Sequence, residues 1–100
     1  MKKVENEKTL EKYLKACVES KLKGLCLKIL SLHITGLPDR LCLIPGGKIL
    51  FVELKTTGKR PRRIQVYMHN KLRELGFRVE VIDSKEQINI ITDEFNRNAV

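Results

Sequence analysis

The feature that most constrains the fold is a pair of apolar runs that meet at a short turn. Residues 39–55 read DRLCLIPGGKILFVELK, and the two runs are joined at Pro45–Gly47. Glycines supply the positive φ angles that a tight connection needs, so the runs are predicted to form an antiparallel hairpin. If the hairpin closes symmetrically, Asp39 and Glu53 lie seven residues on either side of Gly46 and face each other. The register is open by a residue or two.

Glu53 is a charged residue inside the most hydrophobic strand candidate of the chain. Residues two apart on a strand share a face, so Glu53 and Lys55 point one way while Val52 and Leu54 point the other way. Two carboxylates about 5 Å apart across paired strands repel each other unless a cation lies between them. Mg²⁺ favours one or two carboxylates completed by water and phosphate oxygens. The alternative is an exposed Glu53–Lys55 pair with Asp39 as an ordinary turn residue.

The remaining elements follow from periodicity and from glycine and proline breaks. The predicted order is α-β-β-β-α-β, and Ser84 then caps a short last helix or turn. The segments on either side of the hairpin are a helix over residues 5–22, a strand over 25–34, a helix from Pro61 to Leu75 and a strand over 77–83. Gly24 is interpreted as the stop of the first helix. The apolar positions of the second helix are Ile64, Met68, Leu72 and Leu75.

Composition limits the class of protein. One hundred residues, 42% hydrophobic and 32% charged, are expected to form a single domain over residues 1–100. No apolar run approaches the roughly 20 residues that span a bilayer, and the N-terminus lacks the apolar segment of a secretory signal. We therefore expect a cytoplasmic protein without membrane contact. Cys17, Cys26 and Cys42 lack the CxxC spacing of zinc and redox sites, so they are interpreted as buried, reduced thiols.

The net charge of +8 is distributed unevenly. Residues 55–73 hold seven basic and no acidic side chains, whereas residues 80–94 hold five acidic side chains and one lysine. A basic stretch of this kind suits a surface that meets phosphates, but it is also typical of a solvated face without a partner. We expect a polyanion to bind one side of the protein.

Residues 36–65, GLPDRLCLIPGGKILFVELKTTGKRPRRIQ, resemble the VRR-NUC (virus-type replication-repair nuclease) family of the PD-(D/E)xK superfamily. The shared pattern is G-x-PDR, an apolar strand, a glycine-rich turn, an FVE-x-K strand and a glutamine at the start of the next helix. The resemblance extends from about Glu7 to Ser84. It implies a restriction-endonuclease-like α/β core with a mixed central sheet flanked by helices.

The resemblance also implies roles for particular residues. Asp39 and Glu53 would bind Mg²⁺ or Mn²⁺, with the backbone carbonyl of Leu54 as a further oxygen ligand. Lys55 would be the catalytic lysine, and Gln65 falls on the helix glutamine of the family and would line the same site. The set of implied catalytic residues is Asp39, Glu53, Lys55 and Gln65. The residues expected to bind DNA are Lys59, Arg60, Arg62 and Arg63.

The family carries one more metal-binding glutamate on its first helix, followed by apolar residues three and seven positions later. Glu7 fits this pattern through Leu10 and Leu14 and is favoured, and Glu11 is the alternative.

Several other polar residues keep two interpretations. Arg40 belongs to the PDR motif, and a structural role in pairing with a carboxylate is the alternative to a functional one. Lys28 matches a basic residue that the family often carries on its first strand, and an ordinary surface lysine is the alternative. His33 and His69 are interpreted as structural rather than as general bases.

The function implied is a metal-dependent DNA endonuclease that acts on branched or Holliday-junction DNA as a homodimer. Stand-alone cores of this kind resemble those of phages, which would place the protein in the host cytoplasm. The alternatives are a flap or nonspecific DNA nuclease, a non-catalytic DNA-binding module with the same fold, and an α/β protein with only a hydrophobic dimer face.

Overall fold

A computed structural model describes residues 3–98 of the chain. The elements are α1 Glu7–Ala16, β1 Leu25–Lys28, β2 Arg40–Ile44, β3 Lys48–Leu54, α2 Arg63–Glu74, β4 Arg78–Ile82 and α3 Lys85–Arg97. A π-helical turn, Cys17–Lys21, continues α1. The predicted order α-β-β-β-α-β with a final helix is confirmed. Within residues 3–98, no helix has the length and apolar character needed to cross a membrane.

The four strands form one mixed sheet in the order β1-β2-β3-β4. The first three are antiparallel neighbours, and β4 runs parallel to β3. In the hairpin Arg40 pairs with Val52, a register that is symmetric about Gly46, where φ is 89°. The predicted register is thus confirmed, and extending it by one residue sets Asp39 opposite Glu53.

The hydrophobic core lies between one face of the sheet and the layer formed by α1, the π-helical turn and α3. Its fully buried members alternate along the strands and recur at helical spacing on α1. They include Leu10, Leu14, Val18, Leu50, Val52, Leu54, Ile82 and Ile88. Burial of each such side chain contributes about 1.5–3 kcal/mol. Val52 and Leu54 therefore anchor β3 and fix the opposite direction for Glu53.

The strand predicted over residues 25–34 is wrong in length, because β1 ends at Lys28. The last backbone hydrogen bond between the two strands runs from the Ile29 N–H to the Asp39 carbonyl at 2.8 Å. The residue before Asp39 is Pro38, which has no N–H with which to continue a ladder. The chain after β1 is therefore irregular up to the start of β2.

The second face of the sheet is only partly covered, because α2 packs beside β4. Two rows of aligned side chains cross β1, β2 and β3 on this face, Leu25–Leu43–Ile49 and Leu27–Leu41–Phe51. Leu25 is 55% exposed and Leu27 is 42% exposed. We refer to these six apolar residues as the open face.

The predicted apolar stripe of α2 is wrong in part. Ile64 is 42% exposed and Leu75 is 73% exposed, whereas the buried side chains of this helix are Gln65 and His69. Polar residues are buried here because α2 lies over the carboxylate of Glu53 rather than over an apolar surface.

Candidate active site

The carboxylate of Glu53 is the centre of the candidate site. The residue is 1% exposed, and Gln65 Nε2 donates a hydrogen bond of 3.2 Å to its Oε2. The ammonium of Lys55 lies 3.5 Å from the same oxygen. The other oxygen, Oε1, is buried and has no hydrogen-bond partner among residues 3–98. A buried polar atom left unpaired costs about 1–3 kcal/mol, so this oxygen is a place where a partner would bind favourably.

The electrostatics of Glu53 follow from its burial. The pKa of the Glu53 carboxyl is raised to about 7, mainly by burial and also by the nearby charge of Asp39, while Lys55 opposes the shift. A carboxyl with this pKa accepts a positive charge readily at neutral pH, because a cation relieves the cost of its ionised form.

Asp39 lies at the entry to β2 and reaches across the ladder to β3. Its Oδ2 accepts a hydrogen bond of 2.8 Å from the backbone N–H of Leu54. This bond holds the carboxylate beside the strand that carries Glu53. The structure therefore brings together the two carboxylates that the hairpin symmetry predicted.

Gln65 links Lys55 to the start of α2. Its Oε1 accepts hydrogen bonds from Lys55 Nζ at 3.0 Å and from the Arg62 backbone N–H at 2.8 Å. The second bond caps the helix, because the side chain of the third helical residue binds back to the N-cap. One glutamine therefore fixes the helix end, the lysine and the Glu53 carboxylate in a single network.

A pocket of about 230 Å³ opens beside Asp39. Its lining residues are Glu7, Glu11, Lys28, Asp39, Arg40 and Leu54. Both candidate helix glutamates therefore face the same pocket. They differ in their partners, because Glu11 Oε2 pairs with Arg40 Nη2 at 2.8 Å. Arg40 also donates to the Asp39 carbonyl at 3.0 Å, so it braces the entry to β2.

The nuclease-like fold implies a divalent cation, and the side chains of the candidate site can be compared with what such a cation requires. Within residues 3–98, no three His, Cys, Asp or Glu side chains are grouped closely enough to chelate an ion by themselves. Mg²⁺ requires less, since one or two carboxylates with waters and phosphate oxygens complete its shell. Asp39 and Glu53 supply these carboxylates, and the unpaired Oε1 of Glu53 lacks only a partner. The residues fit such an ion.

The basic residues predicted to bind DNA surround the approach to α2. Lys59, Arg60, Arg62 and Arg63 are all exposed. They follow Lys55 along the chain and frame the turn of helix that carries Gln65. Among the described residues, none of the four basic side chains forms an ion pair. Their charges are free to meet phosphates.

The sequence interpretation of His69 as a structural residue did not place it beside Glu53. The imidazole is 1% exposed, and its Nε2 lies 3.5 Å from Glu53 Oε1. Burial lowers the pKa of His69, and the charge of Arg73 lowers it further, which favours the neutral ring. The available signal was its position four residues after Gln65, which places both side chains on one face of the helix. His33 is exposed.

The three cysteines are free thiols. Cys42 is buried in the core, whereas Cys17 and Cys26 are only partly buried, so the expectation that all three are buried is wrong for two of them. Cys26 and Cys42 face each other on β1 and β2, with their sulfur atoms 3.9 Å apart.

A mixed sheet flanked by helices, with a buried strand glutamate, an opposing aspartate and a lysine two residues later, defines an α/β nuclease-like fold. No family model matches the chain. The chain is 40% identical over 85 residues to "Putative nuclease p44" of Acyrthosiphon pisum secondary endosymbiont phage 1, covering 85% of this chain and 90% of that protein. A solved structure described as a VRR_NUC domain superposes with a TM-score of 0.82 at 32% identity, covering 89% of this chain and 96% of the other. The chain belongs to the VRR-NUC family.

Proposed function

We propose that this VRR-NUC nuclease is a metal-dependent, structure-specific endonuclease that hydrolyses phosphodiester bonds of branched DNA, such as Holliday junctions, as a homodimer. The observation that carries the proposal is the buried Glu53 carboxylate, which faces Asp39 and lies 3.5 Å from the ammonium of Lys55. Carboxyls with strongly raised pKa values concentrate at functional sites, and the pKa of Glu53 is raised to about 7, mainly by burial.

Asp39 and Glu53 would hold Mg²⁺ or Mn²⁺, and the Leu54 carbonyl would add an oxygen. Glu7 is favoured over Glu11 as the helix ligand, because Glu11 is already paired with Arg40. When bound, such an ion polarises the phosphate and lowers the pKa of a coordinated water.

Lys55 acts on the phosphate side of the site. Its ammonium is held by Gln65 at 3.0 Å and is partly exposed, so it can contact a phosphate oxygen or orient the attacking water. Gln65 keeps the lysine beside Glu53 instead of letting the flexible side chain extend into solvent. Preorganised charge of this kind stabilises the charge that develops in the transition state.

The exposed basic residues would bring DNA to this site. The four exposed side chains named above, Lys59, Arg60, Arg62 and Arg63, lie just before and at the start of α2 and would neutralise phosphates without reading base identity. Binding through such contacts weakens steeply as salt rises. Selectivity for branched DNA would then come from the arrangement of two sites rather than from base contacts.

The open face supports the homodimer. Its two rows of three aligned residues contain no charge and leave Leu25 and Leu27 about half exposed. A second copy of the same face is complementary to it, and isologous packing of this kind gives a closed two-fold dimer. Such a dimer presents two active sites to two strands of a junction.

Cleavage assays test the proposal. Linear duplex, flap and four-way-junction DNA are incubated with the protein in Mg²⁺ or Mn²⁺, with and without EDTA. We expect cleavage of the junction only with metal, and a loss of about 100-fold or more for Lys55→Met. Lys48→Met at the far end of β3 is the matched control and should cleave normally.

Four outcomes contradict the proposal. Cleavage that persists in EDTA shows that the reaction does not depend on a metal ion. Full activity of Lys55→Met shows that Lys55 has no catalytic role. Junction binding without cleavage in either metal identifies a DNA-binding module instead. Preferential cleavage of the flap or the linear duplex replaces the junction as substrate.

A further inference from the structure

Among the described residues, two buried side-chain polar atoms have no hydrogen-bond partner, Glu53 Oε1 and His69 Nε2. They are 3.5 Å apart. That distance is longer than the 2.7–3.2 Å of an ordinary N–H···O hydrogen bond. Both side chains are almost completely buried, with 1% exposed in each.

The two atoms are chemically matched. A neutral imidazole carries one N–H, and a carboxylate oxygen offers two lone pairs. A proton on Nε2 would satisfy both atoms after a small movement of either side chain.

The position of His69 on α2 places its imidazole next to the second oxygen of the Glu53 carboxylate. Gln65 Nε2 already donates to the other oxygen of the same carboxylate at 3.2 Å. Gln65 and His69 are four residues apart on one helix face, so one rigid element aims a donor at each oxygen of Glu53.

We propose that His69 is a positioning residue whose Nε2–H binds Glu53 Oε1, so that α2 fixes both oxygens of the carboxylate for the cation. Each oxygen keeps a lone pair for the ion after accepting its donor. Hydrogen bonds of this kind orient a ligand and tune its affinity for metal. This role in cation binding rests on the proposed function, whereas the hydrogen bond itself does not.

The first test needs neither metal nor activity. Long-range ¹H–¹⁵N spectra of the metal-free wild-type protein report which imidazole nitrogen of His69 carries the proton. We expect the Nε2–H tautomer, with a resonance that shifts in Glu53→Gln. The proposal is overturned if the proton is on Nδ1, or if the His69 resonance has the same chemical shift in Glu53→Gln as in the wild type.

The second test measures Mn²⁺ affinity by calorimetry. His69→Leu removes the donor, and we expect the Kd to rise about 10-fold or more. His69→Gln keeps an N–H donor near the same place and should restore most of the affinity. Leu72→Ala, one turn further along the same helix, is the control and should bind as the wild type does.

The outcomes separate this role from the proposed function. A folded His69→Leu protein that binds Mn²⁺ as tightly as the wild type overturns the positioning role. If His69→Leu does not fold, the tautomer in the wild-type protein and the affinity of His69→Gln decide. A wild-type protein that binds no Mn²⁺ overturns the metal dependence and with it the role in cation binding, while the spectra still decide whether the hydrogen bond exists.

Discussion

The buried carboxylate of Glu53 lowers the stability of the fold but forms the centre of the candidate site. A strand with Val52 and Leu54 on its core side gains most stability from an apolar residue on the other side as well. The chain instead buries a carboxylate there and surrounds it with Gln65, Lys55 and His69. The cost of burial appears in the raised pKa of its carboxyl. Stability is given up at this residue for a site that a cation can occupy.

The raised pKa of Glu53 predicts a pH dependence of stability in the metal-free protein. Its carboxyl has an ordinary pKa of 4.5 and a folded pKa of about 7. Between these values the folded protein binds more protons than the unfolded chain, so stability falls as pH rises through this window. Glu53→Gln removes that dependence and should be more stable than the wild type by roughly 3 kcal/mol above the window.

Urea unfolding at a series of pH values, with EDTA present, measures this difference. Glu86→Gln on the exposed surface of α3 is the control and should follow the wild-type curve. Parallel curves for the wild type and Glu53→Gln would show that the carboxyl is not destabilised by burial.

The facing carboxylates could be predicted from sequence because both depend on local rules. Strand residues alternate between faces, and a glycine turn sets the register, so Asp39 and Glu53 follow from counting. The burial of Glu53 could not be predicted in this way. It depends on α2 lying over β3, and nothing in the strand itself specifies which helix covers it.

Among the elements, β1 is held to the sheet by a close approach at Gly24. A Cβ at this position would lie 2.3 Å from the carbonyl oxygen of Leu43 on β2. The helical segment ends at Lys21 with Leu22 as its C-cap, close to the stop predicted at Gly24, but the residue with the left-handed conformation is Lys23, with φ 60°. Glycine is needed at position 24 because a side chain there would clash with the backbone of β2. The turn itself would not require glycine at this position.

Gly24→Ala should therefore destabilise the protein by about 1–3 kcal/mol, since the backbone of β1 or β2 must move. Gly76→Ala is the matched control, with φ 96° and no heavy atom within 4 Å of the added Cβ. It should cost only the strain of a left-handed alanine, about 1–2 kcal/mol, and leave the β1–β2 pairing intact. Hydrogen exchange of the β1 amides separates the two variants, and equal protection of β1 in both would contradict the close approach.

Hydrophobic periodicity located α2 but misjudged its packing. A helix that covers an apolar surface shows an apolar stripe, and Ile64, Met68, Leu72 and Leu75 have that spacing. The surface under α2 contains a carboxylate, so a glutamine and a histidine became the buried residues. The limits of β1 were misjudged for a related reason, because strand length was set by the partner strand and Pro38.

At the scale of the whole molecule, the two faces of the sheet differ. One is closed by α1 and α3 and forms the core, and the other is closed by α2 only beside β4. Leu25 and Leu27 of the open face are about half exposed in the monomer, and covering such an apolar patch is favourable. The proposed dimer would close the second face without any additional element.

Leu27→Lys should break the dimer, because it puts a charge into the row Leu27–Leu41–Phe51 at a residue already 42% exposed in the single chain. The fold should survive, and sedimentation velocity at micromolar concentration should change from dimer to monomer. Ile90→Lys is the control, since Ile90 is 59% exposed on α3 and lies off the open face. A wild-type protein that sediments as a monomer, or a dimer that survives Leu27→Lys, contradicts this assembly.

The symmetric turn at Gly46 also decides where the chain can be lengthened. Adding one residue inside β2 or β3 would rotate every later side chain to the other face and separate Asp39 from Glu53. Pro45–Gly47 is exposed, and Gly46 is seven residues from Glu53, about 23 Å along the strand. A peptide tag or a sequence-reading module inserted at this tip would leave the register of both strands unchanged. The hairpin tip is therefore the natural graft point for giving this small nuclease a new targeting specificity.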